Sequence, residues 1–173
     1  MNLKQSIAQE LYETHEKFLA LLNSIPEADY ALPTNNPAWK IGEMLYHITV
    51  GPQILSIEIW MIVHAHGLFQ VGMNVFPSNL YNSANASFAK REKRINREVL
   101  IKVYEAGHAA IRSRLRRTRE EDMQKSVVFP AKFGSDLTGE CSVERLFHHA
   151  KAHFEGHVNQ LGIVSAKGRN ASQ

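Results

Sequence analysis

Apolar residues return every three or four positions over four long stretches of this chain, a period that leaves little besides packed helices open to it. The first stretch runs from Leu3 to Ser24. Leu3, Ile7, Leu11, Phe18, Leu21, Leu22 and Ile25 mark its face, and Pro26 closes it. The second covers Ala38 to Gly67, with Asn36-Pro37 predicting an N-cap and the first helical position. Gly51-Pro52 interrupts it, and a kink or short break is expected there, because proline lacks the amide donor and crowds the preceding turn. Beyond Pro52 the segment is apolar nearly all round, which predicts burial on two sides and fits contact with a second copy in a homodimer.

Leu68 to Phe88 mixes Asn, Ser, Gly and Pro without a period and reads as a long crossover connection. The third helix is expected over Ala89 to Thr118, with Ile101, Tyr104, His108, Ile111 and Leu115 on one stripe. Glu120 to Glu140 reads as irregular or extended. The fourth helix starts at Ser142, a good N-cap with Glu144 in the first turn, and continues to Ala166. The fold class is therefore all-α, a four-helix bundle in a single domain over residues 1–166, with a flexible tail at 167–173.

Composition narrows the function classes. Hydrophobic residues at 44% and charged residues at 21% allow a packed core and exclude wholesale disorder. The longest apolar run, Ile59 to Val63, is far short of the ~20 residues a bilayer span needs, so no membrane partner is expected. No charged segment followed by an apolar run opens the chain, as a secretory signal would. With Cys141 as the one cysteine, neither an intrachain disulfide nor a Cys-rich zinc site can form. A cytoplasmic protein is the expectation.

Between Lys90 and Arg119 stand eleven Lys/Arg against three Glu, a local balance of +8 in a chain of net charge +3. Such a stretch can attract nucleic acid. Tyr104 is the only aromatic residue within it, and it belongs to the apolar stripe, so no stacking platform is present. A solvated helix face accounts for the charge better.

The histidines carry the strongest chemical signal. His149, His153 and His157 stand four apart on the fourth helix, which places neighbouring members on one face, about 6 Å apart at Cβ. Two imidazoles so placed can hold one divalent ion, although a polar stripe satisfied by neighbouring helices has the same spacing. A third ligand must come from elsewhere in the bundle. His47, in the first turns of the second helix, is the best candidate; the alternative is a core histidine hydrogen-bonded to a neighbour.

The segment Trp39-Lys40-Ile41-Gly42-Glu43-Met44-Leu45-Tyr46-His47-Ile48 resembles the opening of the second helix in DinB/YfiT-like proteins. The run from His149 through His153 and His157 to Gln160-Leu161 is similar to that family's fourth-helix signature, His-x-x-x-His-x-x-Gln. The resemblance implies an up-down-down-up bundle, with a long crossover between helices 2 and 3 and a divalent metal on His47, His153 and His157. It also implies a small-molecule substrate. Relatives include metal-dependent thiol S-transferases that use low-molecular-weight thiols such as bacillithiol, and a mycothiol-dependent isomerase. Lys40 replaces the Ser or Thr that often follows the tryptophan, and Asn159-Gln160 replaces a common Gly-Gln pair.

Three neutral imidazoles leave an ion its +2 charge, suited to thiol transfer or to hydrolysis. Histidine ligands suit zinc, nickel, copper or iron, with zinc or nickel the expected cofactor, and the resemblance implies a low-molecular-weight thiol as co-substrate. Glu43, one turn before His47, could orient its imidazole or accept a proton; its place in a first helical turn is also favourable by dipole alone. Gln160 could hydrogen-bond a ligand or substrate. His108, on the apolar stripe of the third helix, is either an acid/base group facing the cavity or a core histidine with a backbone partner. His149 reads either as support for His153 or as a packing residue. His64 and His66 belong to the far end of the bundle. Cys141, just before the fourth helix, is expected to have its pKa lowered by the helix dipole. A bundle that binds metal or ligand without catalysis is the alternative function.

Overall fold

Helix α1 spans Leu3–Ser24, the limits the periodicity predicts. The Asn2 side chain accepts from the Gln5 amide at 2.9 Å, and the Gln5 side chain accepts from the Asn2 amide at 3.0 Å, satisfying two donors of the first turn. The computed structural model describes residues 2–77, 95–133 and 137–162. Within them the chain is mostly helical, with α2 at Ile41–His64, α3 at His66–Val75, α4 at Arg97–Arg117 and α5 at Val143–Leu161. Two four-residue strands, β1 (Ser126–Phe129) and β2 (Gly139–Ser142), pair antiparallel with Val127 opposite Cys141.

Several expectations need correction. Asn36 does not cap α2: its side chain accepts from the Ala38 amide at 3.1 Å and closes a turn, and the helix begins three residues later, at Ile41. α2 continues through Gly51-Pro52 without a break. α4 packs closely against this point, where a Cβ on Gly107 would stand 3.2 Å from the Gln53 nitrogen and 3.6 Å from the Pro52 Cβ. Leu68 to Val75, expected as connection, is helical, with only Phe69 of α3 buried. α4 starts at Arg97, where Asn96 accepts from the Val99 amide at 2.9 Å. α5 stops at Leu161, with Gly162 left-handed at φ 65°. The expected connection over 78–88, the helical start at 89–94, the helical end at 163–166 and the tail 167–173 lie outside the described residues.

Both α1 and α2 pack against α4 and α5. The apolar interior divides into two clusters. One holds Phe18, Leu22, Met44, Leu45, Ile48, Leu100, Tyr104, Phe154 and Leu161; the other holds Ile7, Leu11, Leu55, Ile59, Ile62, Ile111, Leu115, Leu146 and Phe147. Between them along the helices come Thr14, Thr49 and His108, all buried. Each is satisfied by a backbone carbonyl, Glu10 O at 2.8 Å, Leu45 O at 2.7 Å and Leu11 O at 3.1 Å respectively.

Past Pro52 only one face of α2 is buried. Leu55, Ile59 and Ile62 are inside, whereas Ile54, Ile57 and Trp60 are exposed. Among the described residues no helix is long and apolar enough to cross a membrane.

Candidate metal centre

His47 lies in the second turn of α2, and His153 and His157 lie one turn apart on α5. Their ring centroids stand 4.9 Å apart for His47 and His153, 4.7 Å for His47 and His157, and 4.5 Å for His153 and His157. One ring nitrogen from each comes within 4.8 Å of the other two. The Nε2 atoms of His47 and His153 face each other at 3.0 Å. Trp39 packs edge-on against the His47 ring, centroids 5.1 Å apart, which gives the tryptophan of the helix-opening segment a physical role.

Burial sets the protonation of these rings. Desolvation, assisted by the nearby His157, holds His47 down to about 4. Desolvation lowers His153 well below the ordinary histidine range, and His47, His157 and His149 add to the effect. Both rings are therefore neutral at pH 7, with lone pairs to offer. As bare rings, facing Nε2 atoms must share a proton; a cation lets both donate to it. The Nδ1 atom of His47 is buried and has no hydrogen-bond partner among the described residues. A donor set of three imidazoles fits a divalent ion of the zinc or nickel type.

Two neighbours shape the cluster. Gln160 Oε1 lies 3.3 Å from His157 Nδ1, placed to accept the ring proton in the tautomer that turns the Nε2 lone pair toward an ion. A Cβ on Gly51 would stand 3.1 Å from His153 Nδ1 and 3.2 Å from its Cε1, so the absent side chain is what admits that ring. Sequence reasoning took Gly51 only as half of a helix interruption. Its position four residues after His47, on the same face, is the signal that a side chain from another helix approaches there.

Glu43 and His108 are engaged elsewhere. Glu43 Oε2 accepts from the Lys40 amide at 2.7 Å, so the carboxylate serves the start of α2. His108 is 5% exposed between α1 and α4, its Nε2 donating to Leu11 O at 3.1 Å and its ring stacked on His15 at 4.3 Å. Neither contact involves the three imidazoles. The His149 ring lies 5.8 Å from that of His153. Cys141 corrects the expectation of a lowered pKa. It sits in β2 with no exposed surface, and burial pushes its thiol up to about 11, Arg145 and Glu58 acting in opposite directions.

The sequence pattern of the DinB superfamily matches residues 10–161. A solved structure, that of a mutant of the mycothiol-dependent maleylpyruvate isomerase, superposes with a TM-score of 0.70 at 13% identity, covering 97% of this chain. The chain spans 64% of the length of that structure, and at this identity the likeness is one of fold. No curated protein matches the sequence.

Proposed function

Because this chain belongs to the DinB superfamily, we propose that it is a metal-dependent enzyme transferring a low-molecular-weight thiol to, or hydrolysing, a small molecule. The observation that carries this reading is the convergence of His47, His153 and His157 from two helices, with the first two facing each other at 3.0 Å. These three residues would hold the ion, and a divalent ion there supplies the Lewis acidity that turns a thiol or water into a nucleophile near neutral pH. Gln160 fixes the tautomer of His157, Trp39 covers one side of His47, and Gly51 gives His153 its room. The solved structure's thiol dependence supports thiol transfer over hydrolysis by analogy of fold alone.

The bundle is read as up-down-down-up within one domain. The order in which each helix visits the two apolar clusters supports this: α1 and α5 pass from the Ile7 cluster to the Phe18 cluster, α2 and α4 the other way. The exposed stripe Ile54, Ile57 and Trp60 supports a homodimer.

A second reading, a bundle that binds metal without catalysis, is favoured by one observation. Glu43 and His108, the acid/base candidates, are both committed to backbone partners. Metal content of the purified, untagged protein beside His153→Ala tests the shared premise. About one divalent ion per chain, lost in the variant, sustains both readings, and turnover of thiol or hydrolase substrates then separates them. No retained metal after incubation with zinc or nickel would falsify both.

A further inference from the structure

The basic stretch that ends at Arg119 does not present all its arginines to solvent singly. Arg114, Arg117 and Arg119 line one cavity of about 270 Å³ with His64, Thr118 and Asp122, where α2 and α4 both end. His64 lies 17 residues beyond His47 on α2, about 26 Å along the helix, so this cavity is remote from the three imidazoles.

The local acceptors are already taken. Asp122, 2% exposed, accepts from Arg119 Nε at 3.0 Å and from Lys125 Nζ at 2.8 Å. Arg119 also pairs with Glu121 at 2.7 Å. At the end of α4, Lys4 Nζ donates to Thr118 O at 2.9 Å and to Arg116 O at 3.2 Å, and Thr118 Oγ1 donates to Arg114 O at 2.9 Å. At the end of α2, Val63 O accepts from Lys125 Nζ at 3.3 Å. The helix termini are thus neutralised by other groups.

Two guanidinium groups remain. Arg114 donates through Nε to Ser56 O at 3.2 Å, which fixes the side chain against α2 and leaves both terminal nitrogens without a bond among the described residues. Arg117 has neither hydrogen bond nor ion pair among them. Burial pulls the Arg114 pKa below its ordinary value, and the like charge of Arg117 pulls it further. Two guanidinium forks that line one cavity, with the neighbouring acceptors occupied, supply the donors a tetrahedral oxyanion needs. At 270 Å³ the cavity lies just below the usual range for drug-sized ligands, so its occupant is small.

We propose that this cavity binds a phosphate-type oxyanion, either free phosphate or the phosphoryl group of a small metabolite, held by Arg114 and Arg117.

Calorimetric titration of the full chain with inorganic phosphate, at constant ionic strength, tests this. The expected result is saturable binding of one phosphate per chain, weakened at least tenfold by Arg117→Gln and unchanged by His153→Ala. The Arg117 side chain is exposed and makes no hydrogen bond among the described residues, so its replacement leaves folding intact; circular dichroism checks that. Glycerol phosphate binding more tightly than phosphate would support the metabolite source, and the reverse order the free ion. No saturable heat, equal binding by Arg117→Gln, or loss of binding in His153→Ala would each overturn the proposal. So would binding confined to duplex DNA, which would make the arginines a nucleic-acid contact.

Discussion

Gly51 gives His153 its place: a methyl group on that glycine would stand 3.1 Å from the ring's Nδ1. Glycine within a helix costs roughly 0.5–1 kcal/mol relative to alanine. Gly51→Ala should therefore leave thermal stability level or slightly raised while it displaces His153 and weakens metal retention by tenfold or more. Thermal melts beside metal competition with a chromophoric chelator read the two effects separately. A variant that keeps its metal affinity would show that the ring does not need this space.

Gln160 accepts from His157 Nδ1, and a partner of this kind is typically worth roughly 10–100-fold in metal affinity. Gln160→Ala should weaken binding by that factor without unfolding the protein, since the side chain is only partly buried at the end of α5. Chelator competition gives the number. An unchanged affinity would mean that His157 holds its tautomer unaided.

Glu58 on α2 has its pKa raised from 4.5 to about 7 by desolvation. A carboxyl whose folded pKa exceeds its unfolded value favours the folded state in its neutral form, so it subtracts stability as pH rises from about 4.5 to about 7. Glu58→Gln should therefore be more stable than the parent at pH 8, by roughly 1–3 kcal/mol, and nearly equal to it at pH 4. Urea denaturation at the two pH values checks the sign.

Cys141 is fully buried, with its pKa pushed up to about 11. The folded protein should be inert to a thiol reagent such as DTNB at pH 8, and one equivalent should react in guanidinium chloride. Rapid labelling of the folded chain would contradict its placement in β2.

How much of this was legible in the sequence varies from residue to residue. The α1 limits were, because its apolar positions keep one phase and Pro26 stops it. The approach of His47 to His153 and His157 was suggested by helical spacing on α5 and by the motif around Trp39. The continuity of α2 through Pro52 was not, since the packing of Gly107 that accompanies it comes from another helix far along the chain. α3 escaped because Leu68, Val71 and Val75 are exposed and leave it almost no buried stripe. Cys141 was misread for a related reason. Its place just before a helix suggested a dipole effect, but pairing with Val127 seals it in a strand.

The polar layer of Thr14, Thr49 and His108 makes the molecule two oily chambers strung on shared struts. Repacking costs are felt most by direct neighbours, and well-separated changes add nearly independently. One chamber adjoins the imidazoles, and the other holds the strand pair and Cys141. Substitutions that reshape the imidazole end should therefore leave the packing of the opposite end undisturbed, while their costs add to a single total for the chain.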